Sequence, residues 1–232
     1  MARLPRLAIA SHLHHVLQRG GHGQPVCLDT QDFETLLEAV FESARQHGVA
    51  VHGYTVLPDH FHLLLTPPTD VALPLMMQGL GRRYVRYFNQ RYARRGTLWE
   101  GRFKSAVLQP AYALQVLTFM DTHPQRNTGP GPAPAESPWS SFAHYSGARP
   151  DRRLSTHPAY WGLGNTPFAR EAAYQAAAGE GLTAVQRSTI TDAVTRAWAL
   201  GDAGFLDGLQ KLTARRLVRK SPGRPASSAK KA

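Results

Sequence analysis

Between Val56 and Thr66 the chain reads Val-Leu-Pro-Asp-His-Phe-His-Leu-Leu-Leu-Thr. This stretch restricts the fold most. Its flanks, Tyr54 to Leu57 and Leu63 to Leu65, are apolar, and prolines stand at 58, 67 and 68. That pattern is one strand, a Pro-Asp turn and a second strand. Side chains alternate along a strand, so His60 and His62 share one face while Phe61 points to the other, into the core. Two imidazoles so placed can reach a single divalent cation through neutral ring nitrogens. A His-x-His pair also occurs without any metal, so its setting must decide.

The setting is α+β. His12 to Arg19 reads as the first strand, followed by a turn-rich loop from Arg19 to Pro25. Asp32 is expected to cap a helix carrying Phe33, Leu36, Leu37, Val40, Phe41 and Ala44 at helical spacing, with Gly48 ending it. Val49 to Leu57 and His60 to Thr66 are the second and third strands. A second helix is expected over Leu73 to Arg94, burying Leu73, Met76, Met77, Leu80, Tyr84 and Phe88. A fourth strand follows over Thr97 to Leu108, then a third helix over Ala111 to Thr122. The order β-α-β-β-α-β is the split-βαβ, ferredoxin-like arrangement with an antiparallel sheet. Fold alone decides no function.

Beyond the third helix, Thr128 to Pro138 is a proline-glycine loop, and Trp139 to Tyr145 is expected to return to the core. Helices are expected at about 168 to 178, 183 to 199 and 203 to 216. The organisation expected is a main domain over 1–147, a C-terminal helical segment over 148–216, and a basic, disordered tail over 217–232.

Charge narrows the partner. Of 232 residues, 27 are Lys or Arg against 16 Asp or Glu, a formal charge of +11. Such an excess points first to nucleic acid. It is clustered: Arg82, Arg83, Arg86, Arg91, Arg94 and Arg95 share the second helix and its end with no acidic neighbour, as a phosphate-tracking face would. In the tail, Gly223-Arg224-Pro225 is like the core of AT-hook segments, which lay an arginine into a narrow minor groove. A generic basic tail explains those residues equally well. The single cysteine, Cys27, fits a reducing cytosol and a structural role. No apolar run is long enough to span a bilayer, and a cytoplasmic protein is expected.

Several stretches together resemble the single-tyrosine transposases with a His-hydrophobic-His strand, in particular the REP-associated tyrosine transposases. They are His14 to Gly20, Tyr54 to Leu63, Tyr87-Phe88-Asn89, Gly96 to Ser105 and Trp139 to Phe142, in the family's order. The resemblance implies single-stranded or hairpin DNA with palindromic repeats as partner, and a divalent metal, Mg²⁺ or Mn²⁺, on His60 and His62. It also implies strand cleavage and rejoining through a tyrosine on the third helix. Relatives act as monomers or dimers, which leaves a homodimer open.

At the third helix the chain departs from that pattern. The run Phe119-Met120-Asp121-Thr122-His123 places Phe119, which has no hydroxyl, where the family has its nucleophile. His123 falls at the family's third metal ligand, on the same helix face as Phe119; a solvated histidine at a helix end is the plain alternative. Tyr112 lies seven residues earlier, ~10 Å along a helix axis, and is a weak substitute. Glu100 reads as a strand residue paired with Arg102, Asp59 as a turn residue, and His15 as a packed histidine. Two readings therefore stand: a DNA-cleaving transposase, or a DNA-binding module that has lost its nucleophile.

Overall fold

The computed structural model describes residues 7–123 and 137–218. Four strands, β1 (Leu13–Arg19), β2 (Ala50–Val56), β3 (His60–Thr66) and β4 (Lys104–Leu108), form one sheet in the order β2-β3-β1-β4. Every neighbouring pair is antiparallel. This is the ferredoxin-like sheet expected of a β-α-β-β-α-β chain. Helices α1 (Thr30–Gln46) and α2 (Ala72–Arg91) cover one face. There Val16, Phe61, Leu63 and Leu65 pack with Leu36, Val40, Met76 and Tyr84. Cys27 is buried beside Tyr84, as a structural cysteine would be.

The N-cap of α1 is Asp29 rather than the expected Asp32; its carboxylate accepts the Asp32 backbone N–H. Asp32 lies inside the first turn and is fully buried. Its carboxylate accepts from the Leu28 N–H, the Tyr87 and Tyr92 hydroxyls and the Arg91 guanidinium. A buried carboxylate persists only when so paired, and here it ties the start of α1 to the end of α2.

The fourth strand is shorter than the expected Thr97 to Leu108. Residues 97–103 instead run as an irregular segment along the end of β1, held by Gly21 N–H to Leu98 O and Glu100 N–H to Arg19 O. Glu100 therefore sits on an exposed bend rather than on a strand.

The opposite face carries α3 (Ala113–Asp121), α4 (Phe142–Tyr145), α5 (Pro158–Trp161), α6 (Pro167–Glu180) and α7 (Ala184–Arg196). Leu13, Leu17 and Leu64 of the sheet share one apolar cluster with Leu117, Tyr174, Ile190 and Val194. The helical segment beyond residue 147 thus packs directly on the sheet. Leu200 also pairs in parallel with Leu108 at the β4 edge, covering backbone groups that an edge strand would leave bare. The last helix, α8 (Ala203–Gln210), stops short of the expected 216.

Buried histidines make the fold acid-sensitive. His14 of β1 points to the α1/α2 face; its Nε2 accepts the Ile9 N–H and its Nδ1–H donates to His12 O. Burial pushes its pKa down to about 4 from the ordinary value of 6.5. The folded state holds the ring neutral where the unfolded chain protonates it. Its contribution to stability is therefore complete above about pH 6.5 and is lost as the pH falls towards about 4. Urea denaturation at about pH 7 and about pH 5 checks this: His14→Gln should lose less stability on acidification than the wild type, by about 1.4 kcal/mol per pH unit. Equal losses would contradict the assignment.

Candidate metal centre

On the face of β3 that meets α3, the strand alternation places His60 and His62 side by side, with ring centroids 5.2 Å apart. His123, just beyond α3, closes the group. Its Nε2 lies 3.1 Å from His60 Nε2, and its ring centroid lies 5.1 Å from that of His62. One ring nitrogen from each residue falls within 4.8 Å of the others. Ligands on one ion at bond lengths of about 2.1 Å stand roughly 3 to 3.4 Å apart, so modest side-chain adjustment would bring all three onto a single cation.

Neighbours set the tautomers. Asp59, at the turn before β3, lies with Oδ1 2.7 Å from His60 Nδ1. By accepting the Nδ1–H it leaves the Nε2 lone pair facing the cluster. His15 on β1 stacks on His62, with 2.8 Å between His15 Nε2 and His62 Nδ1. Both His62 Nε2 and His15 Nδ1 are buried without a hydrogen-bond partner among the described residues; in the tautomer where His62 Nδ1–H donates to His15 Nε2, the His62 Nε2 lone pair is left free. A bare buried acceptor is costly, and a cation is the partner its geometry invites. The donor set therefore fits a divalent metal. Three imidazoles without a carboxylate suit Mn²⁺ or a later transition ion better than Mg²⁺, which prefers oxygen.

Burial also sets the charge state. Desolvation lowers His62 well below its ordinary pKa and lowers His60 too, where Asp59 opposes the shift. His15 is pushed down to about 3. All three are neutral near pH 7, the state in which imidazole ligates a metal.

The end of α3 is fixed with care. β2 carries an irregularity between Val51 and Gly53, and Gly53 lets α3 come close: a Cβ there would stand 2.4 Å from Leu117 Cδ2. Thr55 Oγ1 donates to Met120 O at 2.8 Å. Asp121 is fully buried and accepts from Ser141 Oγ at 3.0 Å and from Tyr174 OH at 2.6 Å. Burial raises its pKa to about 7. No periodicity or motif marks Asp121 as a tie between α3 and α6; only the fold brings its partners together.

Phe119 packs its ring against the imidazoles, 5.9 Å from His15, 5.8 Å from His62 and 5.5 Å from His123 between centroids. Tyr112 lies at the other end of α3, in a short 3₁₀ turn over Pro110–Tyr112, packed against the second apolar cluster. His15, expected to be a packed histidine, is packed and also contacts His62 directly.

The basic residues separate into two groups. Arg91 is bound to Asp29 and Asp32, and Arg94 donates to Gln24 Oε1 and lies over the Phe88 ring. Arg82, Arg83, Arg86 and Arg95 are exposed. Arg224 and the Gly-Arg-Pro stretch lie outside the described residues, as does most of the proline-glycine loop. Among the described residues, no helix is long and apolar enough to cross a membrane.

Fold and site together define a ferredoxin-like domain with a histidine cluster on its sheet that could hold a metal ion. Residues 12–121 match the family model described as "Transposase IS200 like". Over these residues the chain is similar to the IS200-like transposases. Among solved structures it is similar to a REP-associated tyrosine transposase bound to a REP hairpin. Identity is 18%, the match covers 67% of this chain and 88% of that one, and the TM-score is 0.50. It is also similar to a protein from Deinococcus radiodurans described as a candidate transposase, at 19% identity, 52% and 97% coverage and a TM-score of 0.37. No curated protein matches the chain significantly.

Gly53 offers a direct check on the placement of α3. Gly53→Ala drives a methyl group into the buried Leu117 side chain and should destabilise the fold by about 1 to 3 kcal/mol in urea titration. A change within ~0.5 kcal/mol would show that the close approach is not needed.

Proposed function

We propose that this protein binds single-stranded DNA folded as a hairpin, holds a divalent metal on His60, His62 and His123, and forms no covalent link to the DNA. One observation carries the reading: the ring facing the histidines is that of Phe119. Phosphodiester cleavage of the tyrosine type needs a hydroxyl in line with the scissile phosphorus, and a phenyl ring offers none. Tyr112 does not substitute for it, being about two helical turns away at the opposite end of α3.

When bound, a divalent cation would supply charge neutralisation at a non-bridging phosphate oxygen. The protein's own residues do the rest. Asp59 orients His60, His15 orients His62, and Phe119 closes the apolar side of the site. The exposed Arg82, Arg83 and Arg86 on α2, with Arg95 beyond it, provide phosphate contacts. Arg91 instead serves the fold, through Asp29 and Asp32. Hairpin DNA as the partner draws support from the match of residues 12–121 to the IS200-like transposase model and from the likeness to a transposase bound to a REP hairpin.

Two measurements test this. Anisotropy titrations with a labelled hairpin should show salt-sensitive binding, and replacing Arg82, Arg83 and Arg86 with Ala should reduce the slope of log K against log salt by about two to three. An unchanged slope would remove that face from the interface. On denaturing gels with end-labelled hairpin DNA and Mn²⁺, the wild type should give no covalent adduct. A robust wild-type adduct abolished by Tyr112→Phe would overturn the reading.

A further inference from the structure

We propose that His52 and His157 form an acid-released latch that holds residues 155–161 against the outer edge of the sheet at β2, and that proton uptake there frees this segment while the sheet stays folded. The pair is apart from the cluster of His60, His62 and His123: His52 lies near the start of β2, which pairs with the end of β3 at Thr66, whereas His60 begins β3.

His52 falls in the register irregularity between Val51 and Gly53, and such irregularities re-aim a side chain out of the ladder. Its buried ring bridges two elements. Nδ1–H donates to Ser155 O at 2.6 Å, and Nε2 accepts the Thr66 hydroxyl at 2.9 Å. Ser155 N–H in turn donates to Val51 O. His157 is buried too and meets the His52 ring edge-on, with 5.1 Å between centroids. It is the N-cap of α5, its Nδ1 accepting the Ala159 N–H at 3.2 Å. From α5, Tyr160 OH donates to Tyr145 O, and Tyr145 OH donates to His52 O. Hydrogen bonds thus close the segment, α4 and β2 into one circuit around two imidazoles.

The circuit needs neutral rings. A proton on His157 Nδ1 would set donor against donor at the Ala159 N–H, and the cap is lost. A proton on His52 Nε2 would deny the Thr66 hydroxyl its acceptor and bury a cation edge-on to the other ring. The groups around the pair supply no counter-charge: Thr66 from β3, Ser155 from the segment, Tyr145 from α4 and Tyr160 from α5 are neutral. Asp151 and Arg153, just ahead of the segment, act on Tyr54, while Arg170 and Glu171 of α6 act on Tyr160. Burial pushes His157 down to about 4, with His52 adding to the shift, and burial lowers His52 against the pull of the Ser155 carbonyl. Both rings therefore titrate below the ordinary 6.5. The latch is fully closed above that pH and weakens as the pH falls towards about 4. The segment leads into α6, whose Tyr174 holds Asp121 at the end of α3, so opening the latch slackens the support of α3.

Hydrogen exchange of the full chain tests this, read by mass spectrometry at about pH 7, 6 and 5 and corrected for the intrinsic pH dependence of exchange. The amides of Ser155, Ala159, Tyr160 and Leu163 carry hydrogen bonds of the segment. Between about pH 6 and pH 5 their protection should fall at least about fivefold through His157 alone, and further with His52. Amides of β3 should stay protected over the same range. His157→Asn keeps a capping oxygen that does not titrate, and His52→Asn keeps an amide donor towards Ser155 O. Each should remove its own share of the pH slope, independently of the level of protection at about pH 7. A slope unchanged in either variant overturns the latch. So does a wild-type segment equally protected at about pH 7 and pH 5, or opening of β3 amides together with the segment.

Discussion

Imidazoles taken out of water are the constraint on which the rest of the site depends. His15, His60 and His62 lie on adjacent strands with no counter-charge beyond Asp59 among the described residues, and burial keeps them neutral. A neutral imidazole has one donor and one lone pair, so each ring must choose. Asp59 makes that choice for His60, His15 pairs with His62 through one nitrogen of each ring, and one ring nitrogen of His60, His62 and His123 lies within 4.8 Å of the others. A charged cluster in the same space would repel itself; a fully hydrogen-bonded one would have no valence for a cation.

The sheet and the C-terminal helices serve that arrangement from two sides. Antiparallel pairing sets the histidines of β3 next to His15 on β1. The position of α3 is set from outside, by Gly53 and Thr55 beneath it and by Asp121, Ser141 and Tyr174 at its end. The helices beyond residue 147 therefore have a mechanical role: through Tyr174 they hold the end of the element that carries His123. Leu200 at the β4 edge fixes the same segment to the sheet.

Much of this was legible in the residues. The Val56–Thr66 stretch gave β3 its boundaries and the shared face of His60 and His62, because strand alternation is a local rule. Helical spacing likewise gave the buried stripe of α2. What escaped was non-local. Asp32 reads as a cap because Asp is a common N-cap, yet Asp29 takes that role while Asp32 collects donors from an element more than fifty residues away. The segment 97–103 reads as strand from its apolar residues, but Trp99 and Phe103 pack into the core on the α1/α2 side rather than extend a ladder. Arg91 reads as part of a basic face because its acidic partners lie on α1. His15 and Asp121 acquire their partners only when the sheet pairs and the C-terminal helices dock.

The central claim is that His60, His62 and His123 form one metal site in a protein whose facing ring is a phenylalanine. Visible absorption during titration with Co²⁺ tests it most directly, since the d–d bands report nitrogen ligation without requiring any activity. The account expects a band that saturates at one equivalent, is lost in His62→Ala and His123→Ala, and persists in Phe119→Tyr. No band, or a band unaltered by removing His62 or His123, would contradict it.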